Sequence, residues 1–540
     1  MFSSKNRSEI ITKLQKETFD ILVIGGGITG VGIALDAAGR GLNVALVEKQ
    51  DFAAGTSSRS TKLIHGGLRY LKQLEFNLVR EVGHERKTVY HNAPHLVIPE
   101  KMLLPITDGG SFGKASASVG IYTYDWLAGV KRSERRSVLD RKATLKREPL
   151  LKQNGLEAGV VYWEYRSDDA RLVIEVAKTA TEDGAVLLNY CEFEAFSYNQ
   201  KHISGAKVKD LRSGNTFEIK AKRTINAAGP WVDTVRSKDE EVKGKRLHLT
   251  KGIHLVFDHA RFPLRQAVYF DVPDGRMIFA IPRDGATYVG TTDTNYTDKI
   301  ERPHVSQEDV DYVLQATNNA FDIEPLTQAD IQSTWAGLRP LIHEDGKSPS
   351  ELSRKDEIFL SEHGLISIAG GKLTGYRKMA ERTVDLAFRQ LEVEEKRSFA
   401  LSRSSNRKLS GGLFHSFKAF VAELGETQLT EAQLNGLFHK YGSNAQEIIA
   451  TIDLKLEDRT LAILLAELRY CVDNEMIYEL SDFLIRRTGR LYFEKPLADK
   501  YAAVLNQELT NLLNLSEADA KTSLQTYLNE SKDVLNFSTK

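Results

Sequence analysis

The chain has 540 residues, and its 73 Lys and Arg residues balance 73 Asp and Glu residues. A chain of this length is too long for one hydrophobic core, so we expect two or three domains. The balanced charge creates no net field that would attract nucleic acid. Cys191 and Cys471 are the only cysteines. They are too few for a disulfide framework or a cysteine metal site, so we expect a reducing, intracellular setting and no metal.

The N-terminal residues and the hydropathy pattern indicate whether the chain has a signal peptide or a membrane-spanning segment. Residues 1–18 predict an extension with a short helix that has Ile10, Ile11 and Leu14 on one face. This segment contains no apolar block of the kind found in signal peptides. No apolar run approaches the roughly 20 residues needed to span a bilayer. We therefore expect a soluble or peripheral protein.

Residues 19–48 have the pattern of a dinucleotide-binding unit. The apolar run at residues 21–24 is typical of a parallel strand buried on both faces. Gly25, Gly27 and Gly30 follow at GxGxxG spacing. This spacing permits a tight turn, the approach of a pyrophosphate and close packing of helix on strand. Apolar residues at helical spacing come next, so a helix N-terminus would face the phosphates.

Glu48 completes this pattern. It follows a second apolar strand at residues 44–47 and stands 18 residues after Gly30. An acid at this position accepts hydrogen bonds from an adenosine ribose. A lone GxGxxG motif is weak, but strand, glycines, helix, second strand and acid together predict a dinucleotide site.

The following loop, in residues 51–76, is rich in small polar residues and glycine. Hydroxyl groups can bond phosphate or ribose, and ligands of open α/β sheets bind at the carboxyl ends of the strands. We therefore interpret the loop as a second part of the binding site. Its candidate residues are Thr56, Ser57, Ser58, His65, Gly66 and Gly67, followed by Arg69 and Tyr70.

A strand followed by glycine recurs at two later points. Residues 223–231, RTINAAGPW, predict a return of the chain to the nucleotide sheet. Residues 364–388 predict a buried strand at 365–369, a glycine turn and a helix from about Thr374. The candidate binding residues of these two turns are Ala228, Gly229, Gly370, Gly371, Lys372, Leu373 and Thr374.

Residues 100–140 interrupt this organisation with aromatic residues and a basic run. Tyr122, Tyr124 and Trp126 precede the run, which consists of Lys131, Arg132, Arg135 and Arg136. The pattern favours a solvated helix end over contact with a membrane surface, and both interpretations stay open.

Several motifs together resemble FAD-dependent glycerol-3-phosphate dehydrogenase. The chain is most similar to the aerobic bacterial form of this family, within the D-amino-acid-oxidase-like flavoprotein class. The motifs are FAAGTSSRSTKLIHGGLRYL, NAAGPWVD, TKGIHLVF, VGTTDT, WAGLRPL and IAGGKLTGYRKMAE. LIHGGLRYL and GGKLT are specific signatures, whereas NAAGPW is more widely shared.

The resemblance implies an α/β fold with an FAD-binding Rossmann-like domain, an antiparallel-sheet substrate domain and an all-helical C-terminal domain. The oxidoreductase region would span residues 19–400 and the helical domain residues 413–540, joined by a linker at 401–412. FAD-binding segments at about 19–100, 165–235 and 340–400 would alternate with substrate-domain segments at about 100–165 and 236–340.

The resemblance also implies the reaction. A non-covalent FAD would oxidise sn-glycerol 3-phosphate to dihydroxyacetone phosphate, and a quinone would accept the electrons at the cytoplasmic membrane surface. The oxidases of this family carry an extra insertion, and the short path from Arg339 through Arg354 to Gly370 leaves no room for one. The sequence does not decide whether the chain forms a homodimer.

The substrate is a phosphate dianion, and arginines bind phosphate in a bidentate manner. Arg339, between apolar neighbours, and Arg354 are the candidates for this clamp. Lys372 would place a cation at a helix N-terminus beside the flavin pyrimidine, where negative charge develops on reduction. Arg69 and Tyr70 complete the predicted substrate contacts.

Oxidation at C2 requires removal of a hydroxyl proton, and histidine has a suitable intrinsic pKa. We predict His254, in KGIHLVF, as a residue of the site, and its role as base or as orienting group stays open. His65 is the competing candidate, although in the family its loop lies against the flavin.

Four other functions compete with this prediction. A glycerol-3-phosphate oxidase would pass electrons to oxygen and release hydrogen peroxide. An amine-oxidising flavoprotein would need residues that bind the carboxylate of its substrate. Two arginines and a lysine suit a phosphate better than a carboxylate. A non-enzymatic scaffold would hold FAD structurally, and a nicotinamide enzyme would need only the first glycine motif.

Overall fold

Two β-sheets and a set of helices make up the protein in a computed structural model. The structure describes residues 2–65, 76–110, 136–344, 356–396, 398 and 400–537. Within these ranges, no helix is both long and apolar enough to cross a bilayer.

The first sheet contains the predicted nucleotide-binding strands. Its main path runs Glu357–Leu360, Ile366–Ala369, Thr216–Asn226, Thr18–Ile24, Val44–Val47 and Val186–Leu188. Cys191–Asn199 pairs with His202–Asp210, which pairs with Thr216–Asn226. The strand Thr18–Ile24 pairs in parallel with both of its neighbours. All of its residues after Thr18 are buried, including Asp20, and the apolar run at residues 21–24 is buried as predicted for a central parallel strand.

The parallel register aligns the carboxyl ends of the strands. Ile24 stands opposite Val47 on one side and Asn226 on the other. Asn226 in turn stands opposite Ser367. The turns that follow these strands therefore meet at one edge of the sheet, where ligands of open α/β sheets bind.

The second sheet is mainly antiparallel. Its path runs Thr294–Asn295, Lys245–Asp258, Ala286–Gly290, Met277–Arg283, Ala267–Asp271, Ile98–Thr107, Leu156–Arg166 and Leu63–Ile64. Ile331–Glu344 pairs with Lys245–Asp258, and Ser137–Asp140 pairs with Leu156–Arg166. The one parallel pairing among its described strands joins Ala267–Asp271 to Ile98–Thr107.

Helices pack on the first sheet, and further helices lie in the segments between the strands of both sheets. Ile28–Gly39 follows the first strand and packs against Asp169–Glu182 and Tyr376–Glu395. The N-terminal helix Arg7–Lys16 buries Ile10 and Leu14, in agreement with the predicted apolar face. The other helices of this part are Phe76–Asn92, Arg141–Arg147, Val232–Arg236 and Gln307–Ala320.

The C-terminal region is helical, as predicted. Its helices are Phe417–Leu424, Glu431–Tyr441, Ala445–Ala450, Arg459–Asn474, Arg490–Phe493, Lys495–Leu513 and Glu517–Asp533, with a π-helix at Asp482–Arg487. Phe493 contacts Trp335 and Tyr288 of the second sheet, with ring centroids 5.8 and 5.7 Å apart. The region therefore shares a hydrophobic core with the second sheet.

The fold class predicted from the sequence is confirmed, with small shifts at one element. The strand predicted at residues 365–369 is Ile366–Ala369. The helix expected from Thr374 starts at Tyr376, after a short 3₁₀ turn at Leu373–Gly375. Gly370 and Gly371 both have φ +76°, and this left-handed turn delays the start of the α-helix. The domain boundaries stay a prediction.

Candidate active site

The glycine motif forms a turn that leaves no room for side chains at two of its positions. Gly25 has φ +113°, and a Cβ there would lie 2.6 Å from the carbonyl oxygen of Ala227. A Cβ at Gly30 would collide with the carbonyl oxygen of Gly25. These glycines hold strand and helix close together, as the GxGxxG spacing predicts.

Gly27 differs from these two glycines. Its φ is −79°, and a Cβ there would meet only the Ser57 hydroxyl, at 3.2 Å. Gly27 caps the helix Ile28–Gly39, whose first N–H donates to Ser57 Oγ at 3.0 Å. The fold therefore does not require a glycine here, but a pyrophosphate at the helix N-terminus would.

Glu48 lies beside the glycine turn, at the end of its strand. Its carboxylate accepts hydrogen bonds from the N–H of Gly26 at 2.7 Å and of Gln50 at 2.8 Å. Burial raises the pKa of Glu48, against the lowering effect of these two donors. The carboxylate fixes the turn and lines the adjoining cleft, so it is placed where a ribose would meet it.

A cleft of about 430 Å³ opens at this edge of the first sheet. Three glycine turns contribute to its wall. They follow the strands Thr18–Ile24, Thr216–Asn226 and Ile366–Ala369. The predicted cofactor residues that line it are Gly25, Gly27, Glu48, Thr56, Ser57, Ala228, Gly229, Gly370, Gly371, Lys372 and Leu373. A cleft with three glycine turns and a helix N-terminus in its wall suits an extended dinucleotide such as FAD.

The loop of small hydroxyl residues is held by hydrogen bonds. Thr56 Oγ1 donates to the carbonyl oxygen of Leu338 at 2.8 Å. Ser58 is 3% exposed, and its carbonyl oxygen accepts from Lys62 Nζ. Thr374 Oγ1 donates to the carbonyl oxygen of His65 at 3.2 Å, which ties the end of this loop to the turn after Lys372.

Arg339 lies on the strand Ile331–Glu344, next to Pro340 in the cleft wall. Its guanidinium donates to the Thr292 carbonyl oxygen at 3.0 Å, Thr291 Oγ1 at 3.0 Å and Asp293 Oδ1 at 3.1 Å. The side chains of Arg339 and Asp293 are 30% and 29% exposed. The cation is therefore oriented by one loop and remains accessible to a ligand.

Gly252 makes room for this guanidinium. A Cβ there would collide with Arg339 and with the Thr291 hydroxyl. The sequence analysis did not identify Gly252, although it lies in the KGIHLVF motif. A glycine inside a strand is a general sign of close approach by another group.

His254 is buried in the neighbouring strand, at 2% exposure. Its ring stacks on Trp335 at 4.6 Å, and Nε2 lies 3.0 Å from Thr61 Oγ1. Nδ1 has no hydrogen-bond partner within the described part of the chain. Burial, then the charges of Arg339 and Lys62, hold the pKa of His254 well below its usual value. The imidazole is therefore neutral at neutral pH, and Arg339 is close enough to act on it.

Comparisons with known proteins bear on the cofactor and the reaction. The family model described as FAD dependent oxidoreductase matches residues 20–377. A second model, described as the C-terminal domain of alpha-glycerophosphate oxidase, matches residues 402–520. The aerobic glycerol-3-phosphate dehydrogenase of Bacillus subtilis (strain 168) is 51% identical over 504 residues, which cover 91% of each chain. The chain belongs to the FAD-dependent glycerol-3-phosphate dehydrogenase family.

Two further relatives agree with this membership. The aerobic glycerol-3-phosphate dehydrogenase of Staphylococcus haemolyticus (strain JCSC1435) is 51% identical, over 96% of this chain and 95% of the relative. A crystal structure of the glycerol-3-phosphate dehydrogenase from Bacillus halodurans complexed with FAD has TM-score 0.83 and 42% identity. It covers 100% of both chains. The predicted family and the FAD cofactor are confirmed.

Part of the predicted site lies outside the described residues. The glycines of the LIHGGLRYL motif, three predicted substrate contacts and the aromatic and basic residues of the 100–140 segment fall there. They are Gly66, Gly67, Arg69, Tyr70, Arg354, Tyr122, Tyr124, Trp126, Lys131, Arg132 and Arg135. Arg136, the last residue of the basic run, is described and lies next to the strand Ser137–Asp140.

The structure adds cleft residues that the sequence analysis did not single out. Trp231 lines the cleft, donates from its indole N–H to Glu301 at 2.9 Å and lies under Lys49, whose Nζ is 4.3 Å from the ring centroid. Lys49 and Glu301 also form an ion pair. The three residues come from distant parts of the sequence, so no local pattern could have grouped them.

Proposed function

We propose that the protein oxidises sn-glycerol 3-phosphate at C2 to dihydroxyacetone phosphate, with FAD as the hydride acceptor, and that a quinone receives the electrons. The observation that carries the proposal is the adjacency of two features. Lys372 and Pro340 line the dinucleotide cleft, and Arg339, the residue before Pro340, has an oriented and partly exposed guanidinium. The relatives named above are dehydrogenases that act on this substrate.

Arg339 and Lys372 would bind the substrate. The guanidinium of Arg339, beside the cleft wall, and the ammonium of Lys372 would supply the positive charge that a phosphate dianion requires. The phosphate would share Arg339 with Asp293 or displace that carboxylate. Arg354, Arg69 and Tyr70 complete the proposed substrate contacts.

His254 would take the proton of the C2 hydroxyl. A neutral imidazole accepts a proton only at the nitrogen without hydrogen. If Nε2 carries the hydrogen and donates to Thr61 Oγ1, Nδ1 is the accepting atom, and Nδ1 is the nitrogen without a described partner. Bound FAD would supply the hydride acceptor: the C2–H bond would give its hydrogen and electron pair to the flavin, and the hydroxyl proton would pass to His254.

Phosphate binding would also strengthen this base. The positive charge of Arg339 contributes to the low pKa of His254. A dianion beside Arg339 offsets that charge, so the pKa of His254 should rise when the substrate binds.

The electron acceptor and the location of the protein are part of the proposal. The named relatives support a dehydrogenase rather than the alternative, a glycerol-3-phosphate oxidase that produces hydrogen peroxide. We propose peripheral contact with the cytoplasmic face of the membrane, where a quinone is reached from the surface. The homodimer and the predicted domain division stay open.

Stopped-flow measurements of the holoenzyme test the acceptor. We expect rapid anaerobic flavin reduction by glycerol 3-phosphate, slow reoxidation by air and fast reoxidation by a quinone analogue. Lipid or detergent should accelerate only the quinone step. Rapid, stoichiometric hydrogen peroxide release in air would identify the oxidase instead.

A further inference from the structure

The loop after Glu48 carries a carboxylate that is wholly buried. Asp51 is 1% exposed. Its oxygens accept from Arg486 Nε at 2.6 Å and from Arg487 Nη1 and Nη2 at 2.7 and 2.9 Å. Asn189 Nδ2 donates a fourth hydrogen bond at 2.9 Å. A buried carboxylate with four donors is held in one position.

The two arginines belong to the C-terminal helical region. They end the π-helix Asp482–Arg487, and such rare segments often occur at functional sites. Arg487 is 0% exposed and also donates to the carbonyl oxygen of Glu475 at 2.7 Å. Burial raises the pKa of Asp51, but the charges of Arg487 and Arg486 outweigh it and hold the pKa below its usual value. The ion pair is therefore fully charged at neutral pH.

Asp51 connects directly to the glycine turn. The next residue, Phe52, is 0% exposed, and its ring lies so close that a Cβ at Gly26 would be 2.7 Å away. The N–H of Ala53 donates to the carbonyl oxygen of Gly26 at 3.1 Å. Gly26 is also the donor to Glu48. Movement of Asp51 would therefore shift the turn that faces the pyrophosphate.

A second connection runs through Asn189. Its amide also donates to the carbonyl oxygen of Met476 in the C-terminal region, at 3.0 Å. The residues that follow it bond the cleft wall: Tyr190 N–H donates to the Gln50 carbonyl and Cys191 N–H to the Glu48 carbonyl, both at 2.8 Å. Glu48, Gln50 and Cys191 all line the cleft. The C-terminal region thus holds the adenosine end of the cleft at two points.

We propose that Arg487, with Arg486, is a positioning residue for the adenosine end of FAD, so that docking of the C-terminal region and FAD binding strengthen each other. Because coupling between two binding events is reciprocal, FAD must stabilise the docked region as much as docking stabilises FAD. The inference rests on the FAD site of the proposed function. It does not depend on the substrate or on the electron acceptor.

The first test compares Arg487→Gln with Arg490→Gln. Arg490 is a matched control, because it is also a buried arginine of this region and donates to Glu467 at 2.7 Å. Its carboxylate partners, Glu467 and Glu494, both belong to the same region. FAD affinity of the apoproteins is measured by flavin fluorescence.

We expect the FAD dissociation constant of Arg487→Gln to rise about 5- to 150-fold, the usual range of coupling between sites. Arg490→Gln should bind FAD within about twofold of the wild type. With saturating FAD, Arg487→Gln should recover turnover with an unchanged KM for glycerol 3-phosphate. Wild-type FAD affinity in Arg487→Gln, or equal weakening in both variants, would overturn the proposal.

The second test needs no variant. Hydrogen exchange of the wild-type protein is compared with and without FAD. FAD should slow exchange in Asp482–Arg487 and leave the helix Phe417–Leu424 unchanged. If exchange in Asp482–Arg487 does not respond to FAD, the coupling is absent and the proposal is wrong. A different result is that FAD binds and slows exchange in Asp482–Arg487 while glycerol 3-phosphate does not reduce the flavin. That result would contradict the proposed substrate and leave the coupling proposal intact.

Discussion

The two ends of the proposed site differ in the groups that would contact the ligand. One end relies mainly on the backbone, and the other relies on side chains. At the proposed adenosine end, backbone groups would bind the cofactor: a glycine turn and a helix N-terminus, with the carboxylate of Glu48 fixing the turn. At the proposed substrate end, side chains would bind: Arg339 and His254 stand on neighbouring strands of the second sheet, and Lys372 follows a strand of the first sheet. We therefore expect the adenosine end to be sensitive to changes that block or shift its backbone, and the substrate end to be sensitive to the loss of single side chains.

Replacement of Arg339 by Ala should have one of the largest effects. It removes the charge that pairs with phosphate and leaves Asp293 without this partner. We expect a loss of about 2–5 kcal/mol in kcat/KM for glycerol 3-phosphate, typical for truncation of one partner of a charge pair. Steady-state kinetics with a quinone analogue measures it.

Arg339→Lys is the matched control, because it keeps the charge but not the bidentate geometry, and its activity should be intermediate. Any activity on unphosphorylated glycerol should barely change. Equal losses on both substrates would show that Arg339 serves the fold or the flavin.

Gly27→Val tests the adenosine end. The backbone at Gly27 accepts a side chain, and only the Ser57 hydroxyl is near, so the variant should fold. Added methyl groups would obstruct the pyrophosphate at a cost of roughly 1–3 kcal/mol, about a 5- to 150-fold loss of FAD affinity. The protein should be purified with little or no colour. A Gly27→Val protein with full flavin content would contradict the assignment.

The pH dependence of the wild-type enzyme tests His254. Burial and the charges of Arg339 and Lys62 lower the pKa of His254 well below 6.5, so the basic form persists as the pH falls through 6.5. The acid limb of kcat/KM, which reports the free enzyme, should therefore lie well below pH 6.5. The acid limb of kcat, which reports the complex, should lie at higher pH, because the bound dianion offsets Arg339.

His254→Gln is the control for this profile, since ionisation of the substrate phosphate affects both proteins equally. The variant should lose about 10²- to 10⁴-fold in rate and should keep only the part of the acid limb that comes from the substrate phosphate. An acid limb that is the same in the wild type and in His254→Gln would exclude His254 as the base.

Asp293→Asn should have the smallest effect. The ion pair with Arg339 is partly exposed, and such pairs contribute about 0.2–1 kcal/mol. Removal of the competing carboxylate should lower KM for glycerol 3-phosphate by up to about fivefold, at unchanged flavin content. A rise in KM would mean that Asp293 orients Arg339 for the phosphate.

The same difference between the two ends explains what the sequence could predict. Gly25, Gly27, Gly30 and Glu48 lie in one short segment, and their spacing alone indicates strand, turn and helix. His254 and Arg339 have no such local pattern, and they were predicted from the chemistry of their side chains together with the resemblance to a known family. Gly252 and Thr61 were missed because their importance lies in contacts across strands, with Arg339 and His254 respectively. Asp51 and Arg487 are separated by 436 positions, and charged residues in a sequence give no sign of burial.

The absorption spectrum of the flavin during anaerobic titration with glycerol 3-phosphate tests the central claim most directly. The account predicts that the yellow, oxidised spectrum bleaches with about one equivalent of substrate and that dihydroxyacetone phosphate appears in the same amount. Unphosphorylated glycerol at the same concentration should leave the spectrum unchanged. A flavin that stays yellow with glycerol 3-phosphate, in a protein that retains FAD, would contradict the account.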